Sequence, residues 1–214
     1  PGFPARLPAG PAAPAPVRAP ARPSASLPAS SGVGLDSHAV RQAMVRKLAA
    51  QGIGHADVLA AMGTVERHRF VDSALVNQAY EDTSLPIGLG QTISKPNVVA
   101  RMLELLCHGR SLPLGRVLEV GTGCGYQAAV MSLLAKEVYS IERLRGLHEK
   151  ARANLRPMRL PNLHLLLGDG MLGYAAGAPY AGIVAAAGGD VAAAGSLSIT
   201  GAAVLNAAGS LAAA

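Results

Sequence analysis

The sequence predicts an α/β fold, with a doubly wound, mostly parallel sheet, helices on both faces and an N-terminal helical segment. Two observations point to this fold. From Arg116 onward, short aliphatic runs alternate with stretches of helical periodicity, as in strand–helix–strand units whose strands are buried. Three of these runs end in or are followed by a carboxylate, which is typical of a sheet whose strand ends meet a ligand. At 214 residues, the chain has room for one such domain.

The residues before this alternation predict helices. A helix capped by Asp36 or Ser37 carries apolar residues from Val40 to Leu48 and ends at Gly52. The segments that follow are interpreted as a short helix near Asp57–Met62, a helix-rich connector over Glu66–Tyr80, a loop over Leu85–Gly90, and a helix over Asn97–Leu106 that Ser94 or Pro96 begins.

The alternating part predicts four strands. They are Val117–Val120, Val138–Ile141, Leu163–Leu167 and Ile183–Ala186, with helices at Tyr126–Ala135 and Leu144–Leu155 between the first three. The carboxyl ends of parallel strands meet at one edge of a sheet. We therefore expect the three carboxylates at or just past successive strand ends to rim one crevice: Glu119, Glu142 and Asp169.

The first of these strands runs into a glycine-rich turn, Gly121–Gly125. Its G-x-G-x-G spacing differs from the G-x-G-x-x-G of dinucleotide-binding turns, because Tyr126 stands at the third glycine position. A carboxylate at the strand end also fits poorly beside a pyrophosphate. It suits a cationic, hydroxylated ligand such as S-adenosylmethionine, which has a sulfonium, an ammonium and a ribose but no phosphate. Glu142 could accept hydrogen bonds from ribose hydroxyls, and Asp169 one from the exocyclic amine of a base.

The charge pattern does not favour a nucleic-acid partner. The formal net charge is +6, but no dense basic run is interleaved with aromatic residues. The basic residues are interpreted as lying mostly on solvated helix faces: Arg41, Arg46, Lys47, Arg67, Arg69, Arg143, Arg145, Lys150, Arg152, Arg156 and Arg159.

Other sequence features indicate a reduced, intracellular protein. No apolar run reaches the ~18 residues of a membrane span, and prolines interrupt the N-terminal stretch where a secretory signal would need an apolar core. Cys107 and Cys124 show no metal-ligand spacing, which favours reduced thiols. We expect a cytoplasmic protein that binds neither membrane nor metal.

Several segments, in order, resemble the protein-L-isoaspartate O-methyltransferase family. They are Ala79–Asp82, the run LPIGLGQTISKP, Val99–Met102, the run VLEVGTGCGYQAAV, VYSIER, GDG and Ala178–Tyr180. The GQTIS segment is the most specific, since most methyltransferases of this kind share the glycine loop. The resemblance implies a class I, Rossmann-like fold that transfers a methyl group from S-adenosyl-L-methionine to the free α-carboxyl of L-isoaspartyl residues in damaged proteins. It also implies S-adenosyl-L-homocysteine as the product, a monomer, and isoaspartyl peptides and proteins as substrates.

The resemblance further implies a role for each matching residue. Ser94 would be the active-site hydroxyl, near the methyl donor and the substrate carboxylate. The implied cofactor-binding residues are Gln91, Thr92 and Ile93 beside the donor, Gly121 and Gly123 at the methionine part, Glu142 at the ribose, Asp169 and Gly170 at adenine, and Glu119, Thr122 and Arg143 around them.

Two other functions stay open: a tRNA methyltransferase on the same scaffold, which a pI of 9.8 allows, and a non-catalytic S-adenosylmethionine-binding module. The Asn/Asp-Pro-Pro-aromatic segment of many base-amine methyltransferases does not occur after Ile183.

The chain also departs from the isoaspartate family at Ala181, where an aspartate is usual, and after Ala202. Substrate contacts from that end are therefore not carried over.

The ends of the chain differ in composition from its centre. Nine of the 15 prolines lie by Pro28, and Asp190 is the only charged residue after Ala175. The charge-poor end either departs from ordinary folding chemistry or contains unassigned residues written as alanine, which an intact mass of 21.7 kDa would refute. The predicted organisation is a flexible Pro/Ala-rich extension (1–35) and a methyltransferase domain (36–214), the latter comprising a helical, substrate-side segment (36–110), a cofactor-binding core (111–190) and an Ala/Gly-rich tail (191–214).

Overall fold

The computed structural model of the protein describes residues 38–185, 203–206 and 211–213. The predicted N-terminal extension, the cap at Asp36 or Ser37 and most of the Ala/Gly-rich tail lie outside the described residues.

The N-terminal segment is helical, as predicted. Its elements are α1 (His38–Ala50), α2 (Ala56–Thr64), two 3₁₀ helices (Arg67–Phe70 and Ser73–Gln78) and α3 (Pro96–Cys107). Pro96 occupies the first helical position of α3, where its missing N–H costs nothing and its fixed φ suits a helix.

The prediction of a loop over Leu85–Gly90 is wrong. Strand β1 (Leu85–Gly88) pairs antiparallel with β2 (Gln91–Ile93), and Leu89 and Gly90 form the tip of this hairpin. Leu85 and Ile87 are buried while Pro86 and Gly88 are exposed, so one face of β1 packs on the core. Gly88, Leu89 and Gly90 have φ values of 99°, 51° and 71°. The proline and glycines that suggested a loop therefore allow a tight turn between very short strands.

The main sheet confirms the predicted α/β fold. Its strands are β3 (Leu114–Val120), β4 (Ala135–Glu142), β5 (Leu163–Leu167), β6 (Gly182–Ala185), β7 (Ala203–Asn206) and β8 (Leu211–Ala213), in the order β5-β4-β3-β6-β7-β8. Among the described strands of this sheet, β8 alone runs antiparallel to its neighbour. The chain leaves β3 toward β4 and β5 and later returns to its other side as β6. This change of direction opens a crevice beyond the carboxyl end of β3.

Two helices connect the first three strands of this sheet, namely α4 (Tyr126–Ser132) and α5 (Arg145–Leu155). The prediction that the first of them continues to Ala135 is wrong, because Ala135 already belongs to β4. The Asn162 side chain donates to the carbonyls of Ser132 and Ala135, at 2.8 and 3.0 Å. These bonds satisfy backbone groups at the turn and allow the helix to stop there.

The two faces of the sheet are covered differently. Val117 and Val138 belong to a large core cluster to which all five described α-helices contribute. Leu118, Ile141 and Ile183 point to the opposite face. Within the described ranges, that face is covered by aromatic and aliphatic side chains and by no residue of these helices: Val120, Tyr139, Leu166, Tyr174, Ala178 and Tyr180. The prediction of helices on this second face falls outside the described residues.

One basic residue contradicts the prediction of solvated helix faces. Arg67 is 0% exposed, although it lies in a short 3₁₀ helix between polar neighbours. Its guanidinium donates to backbone carbonyls of two distant segments, so burial does not leave it without partners.

Candidate active site

A cavity of about 550 Å³ lies beyond the carboxyl ends of β3, β4 and β5. The hairpin and the start of α3 cover it from the side of the N-terminal segment. All the site residues singled out in the sequence line this one cavity: Gln91, Thr92, Ile93, Ser94, Glu119, Gly121, Thr122, Gly123, Glu142, Arg143, Asp169 and Gly170.

Four of the five amides of the glycine turn are hydrogen-bonded within the protein. The N–H groups of Gly121 and Thr122 donate to the Ile141 carbonyl, at 2.9 and 3.2 Å. Gly123 N–H donates to Glu142 Oε2 at 2.9 Å, and Gly125 N–H to the Thr122 carbonyl at 2.9 Å. A phosphate-binding turn offers free N–H groups to its anion. Three amides of this turn are instead bound to residues of β4, so few of its N–H groups are free to bind an anion.

Glu142 is held in a fixed orientation at the end of β4. It is 5% exposed, and its second oxygen, Oε1, accepts from Leu144 N–H at 2.9 Å. Each oxygen of a carboxylate can accept more than one hydrogen bond. With one lone pair of each oxygen bound to backbone, the carboxylate can still accept from a pair of neighbouring hydroxyls in the cavity.

Glu119 lies deeper in the cavity wall, in a small hydroxyl network. Ser140 Oγ donates to Glu119 Oε2 at 2.5 Å, and the Thr122 and Ser140 hydroxyls are 2.6 Å apart. Its other oxygen, Oε1, is buried and has no hydrogen-bond partner among the described residues. Burial raises the pKa of Glu119 to about 8, and the nearby Glu142 adds to the effect. The site therefore contains a carboxyl group that holds a proton near neutral pH.

Asp169 and Gly170 form the third corner of the cavity, after β5. Asp169 Oδ1 accepts from Met171 N–H at 3.0 Å, which fixes the side chain at the start of a short 3₁₀ turn. A Cβ on Gly170 would lie 2.4 Å from a methyl carbon of Val120. Glycine is therefore required here for packing against β3.

Ser94 lies at the end of the hairpin, where the chain turns into α3. Ser94 does not cap α3, although it stands close to the predicted start of that helix, because Lys95 is the N-cap residue and its side chain makes no capping bond. The carboxylate of Asp82 instead accepts from Asn97 N–H at 2.9 Å. Among the described residues, the Ser94 hydroxyl has no hydrogen-bond partner.

Sequence reasoning missed most of the apolar wall of the cavity. These residues are Ile87, Val99, Val120, Ile141, Leu144 and Leu147, together with Tyr126, Gln127 and Met171. Val99 and Leu147 lie within the predicted helices Asn97–Leu106 and Leu144–Leu155, and no sequence signal there indicates a ligand contact. The buried Gln127 amide lies near the Glu119 carboxyl group but makes no close hydrogen bond among the described residues.

Two classes of feature are absent from the described ranges. No group of three or more His, Cys, Asp and Glu side chains there is arranged to hold a metal ion. No helix there is long and apolar enough to cross a membrane.

Comparison with known proteins identifies the family. The family model described as "Protein-L-isoaspartate(D-aspartate) O-methyltransferase (PCMT)" matches residues 39–194. A protein of that name from Methylibium petroleiphilum is 56% identical over 206 residues, covering 89% of this chain and 75% of the relative. A second, from Cupriavidus pinatubonensis, is 61% identical over 155 residues, covering 72% of this chain but only 52% of the relative.

Solved structures agree with the fold. A protein-L-isoaspartate O-methyltransferase structure superposes with a TM-score of 0.62 at 29% identity, covering 69% of this chain and 48% of that one. A Plasmodium falciparum structure, described as a putative member of the family in complex with S-adenosyl-L-homocysteine, has a TM-score of 0.64 at 20% identity and covers 77% of this chain and 82% of its own. The match of the family model over residues 39–194 and the identity to its members establish that the chain belongs to the protein-L-isoaspartate(D-aspartate) O-methyltransferase family.

Proposed function

We propose that the protein transfers a methyl group from S-adenosyl-L-methionine to the free α-carboxyl of L-isoaspartyl residues in damaged proteins, leaving S-adenosyl-L-homocysteine. The observation that carries this proposal is the cavity itself. One cavity of about 550 Å³ is lined by residues of the GQTIS segment, by the glycine turn and by three carboxyl groups. Family membership and the names of the relatives support the same reaction.

The polar groups of the cavity fit this cofactor better than a dinucleotide. Most amides of the turn are hydrogen-bonded within the protein, so few N–H groups are left to hold a pyrophosphate. The fixed Glu142 carboxylate suits vicinal ribose hydroxyls. Glu119 Oε1 suits a cationic ammonium, whose positive charge would lower the pKa of Glu119 and favour its ionised form. When bound, the cofactor supplies an electrophilic methyl group on a sulfonium. The reaction asks for no metal.

The chemistry needs positioning and not a general base. A carboxyl group with a pKa near 4 is ionised at neutral pH, so the substrate carboxylate is already a nucleophile. Ser94 can donate its hydroxyl hydrogen to one carboxylate oxygen and leave the other to attack in line. The apolar wall formed by Ile87, Ile93 and Leu147 limits water around the reacting atoms. Positioning of this kind lowers a barrier by up to about 7–11 kcal/mol.

A paired-peptide assay tests the proposed reaction. Labelled methyl is supplied to an isoaspartyl peptide and to its aspartyl twin, and only the former should become a base-labile methyl ester. Ser94→Ala should lower turnover by about 10–1000-fold, the loss expected when an orienting hydrogen bond in the transition state is removed. Binding of S-adenosylmethionine, measured by calorimetry, should persist in that variant. Ser84→Ala, at an exposed serine just before β1, is the matched control and should keep full turnover.

The other outcomes of this assay each point elsewhere. Transfer to tRNA but not to the isoaspartyl peptide would replace the proposal with an RNA methyltransferase. Cofactor binding with no transfer to either acceptor would indicate a non-catalytic module. Full turnover in Ser94→Ala would leave the reaction in place and remove Ser94 from it. Action as a monomer in the cytoplasm, without nucleic acid or membrane, stays a prediction.

A further inference from the structure

Arg67 carries a buried charge but does not line the cavity of the proposed methyl transfer. Its side chain is 0% exposed, and among the described residues no carboxylate forms an ion pair with it. Burial lowers the pKa of Arg67, although an arginine in a protein keeps its charge. Burying a charge is costly unless it makes strong hydrogen bonds, so its partners matter.

The partners of Arg67 belong to three separate segments. Arg67 Nε donates to the Ala79 carbonyl at 2.8 Å, and Nη2 donates to the Ser94 carbonyl at 2.8 Å. The guanidinium carbon lies 4.8 Å from the centre of the Tyr126 ring, a cation–π distance. Nη1 is buried and has no hydrogen-bond partner among the described residues.

Two of these contacts are to the walls of the cavity. Ser94 ends the hairpin wall, and Tyr126 begins α4 directly after the glycine turn. Arg67 is not itself a lining residue. Its guanidinium lies behind the cavity and contacts both the Ser94 carbonyl and the Tyr126 ring. Because the guanidinium is rigid and planar, these two contacts set the distance between the Ser94 backbone and the start of α4.

We propose that Arg67 is a positioning residue, which acts through Ser94 by fixing its backbone relative to the glycine turn. This proposal rests on the proposed methyl transfer, in which the Ser94 hydroxyl orients the attacking carboxylate. A lysine in place of Arg67 keeps the charge but offers a single ammonium that cannot span the same two carbonyls in a fixed plane. Its effect should therefore be on alignment more than on charge.

The kinetic test is a double-mutant cycle between Arg67 and Ser94. Arg67→Lys should lower kcat by about 10–100-fold, because misplacement of about 1 Å can cost that much, and should change the KM for S-adenosylmethionine by less than about 3-fold. In the Ser94→Ala background the same change should lower kcat by less than about 3-fold, because the residue it positions is gone. Arg41→Lys is the matched control, since Arg41 binds the Gly63 carbonyl and Glu66, away from the cavity.

A second readout does not depend on activity. Hydrogen exchange measured by mass spectrometry should rise in the peptide covering residues 91–96 of Arg67→Lys and stay at the wild-type level there in Arg41→Lys. If Arg67→Lys does not fold, Arg67→Met keeps much of the side-chain volume without the donors and is measured in its place.

The results separate the two proposals. An equal loss of kcat in the wild-type and Ser94→Ala backgrounds would make Arg67 merely structural and overturn the inference. So would unchanged exchange over residues 91–96. A wild-type protein that methylates no isoaspartyl peptide would overturn the proposed function, and the exchange measurement would then decide alone whether Arg67 fixes the Ser94 segment.

Discussion

Replacing Glu119 by glutamine should make the protein more stable at high pH. The glutamine has the same shape as a neutral carboxyl group and can still accept the hydrogen bond of Ser140. In the wild-type protein, burial raises the pKa of Glu119 from its ordinary 4.5 to about 8. In the unfolded chain the same group loses its proton near its ordinary pKa.

The sign and size of the effect follow from this difference. Below about pH 4.5 both states hold the proton, and the contribution of Glu119 to stability is fully present. Between about pH 4.5 and 8 only the folded state holds it, so stability falls as the pH rises. Each pKa unit is worth about 1.4 kcal/mol, which gives a loss of about 5 kcal/mol as an upper value. The variant escapes this loss because glutamine does not titrate.

Urea unfolding of the two proteins near pH 5, 7 and 9, followed by circular dichroism, measures the free energy of unfolding. The advantage of Glu119→Gln should grow with pH, and Glu81→Gln, at an exposed carboxylate, controls for the loss of one negative charge. A stability gap between Glu119→Gln and wild type that stays constant from pH 5 to 9 would refute the reasoning.

Two further changes test the geometry of the cavity. Glu142→Gln should weaken binding of S-adenosylmethionine by at least about 10-fold in calorimetry, since hydrogen bonds to a charged acceptor are worth about 1.5–3 kcal/mol; unchanged affinity would remove this carboxylate from the ribose role. Gly125→Ala should lower the free energy of unfolding by about 2–4 kcal/mol, because φ is +92° and the new Cβ would lie 2.7 Å from Leu155 Cδ1. Gly109→Ala, at φ +69° with nothing within 4 Å, isolates the backbone cost, and an equal loss in both variants would show that Leu155 is not the obstacle.

The strands and helices of the sheet could be predicted because their signal is local. Val117–Val120 and Leu163–Leu167 are short, mostly aliphatic runs bounded by polar or glycine residues, and this local pattern predicts buried strands. Parallel strands share one edge for their carboxyl ends, so the meeting of Glu119, Glu142 and Asp169 in one cavity could be predicted as well.

The features that were missed depend on contacts with other segments and not on a pattern within the segment itself. The hairpin strand Leu85–Gly88 contains a proline and a glycine, and it is a strand only because Gln91–Ile93 pairs with it. An arginine is usually exposed, and the burial of Arg67 is explained only by its hydrogen bonds to the carbonyls of Ala79 and Ser94. Asp82 caps a helix that begins 14 residues later, at Pro96. The periodicity of the sequence does not predict these strand-pairing and side-chain contacts.

Asp82 stabilises the start of α3, so the nearby Ser94 side chain is not needed for that purpose. The side-chain oxygen of a serine just before a helix commonly accepts a hydrogen bond from a backbone amide of the first turn. Here a carboxylate from another segment supports Asn97 N–H, and the Ser94 hydroxyl keeps both its hydrogen and its lone pairs. Selection can therefore act on Ser94 for chemistry alone, without a penalty in folding. The same separation makes Ser94 a position where acceptor preference could be re-engineered while the scaffold stays intact.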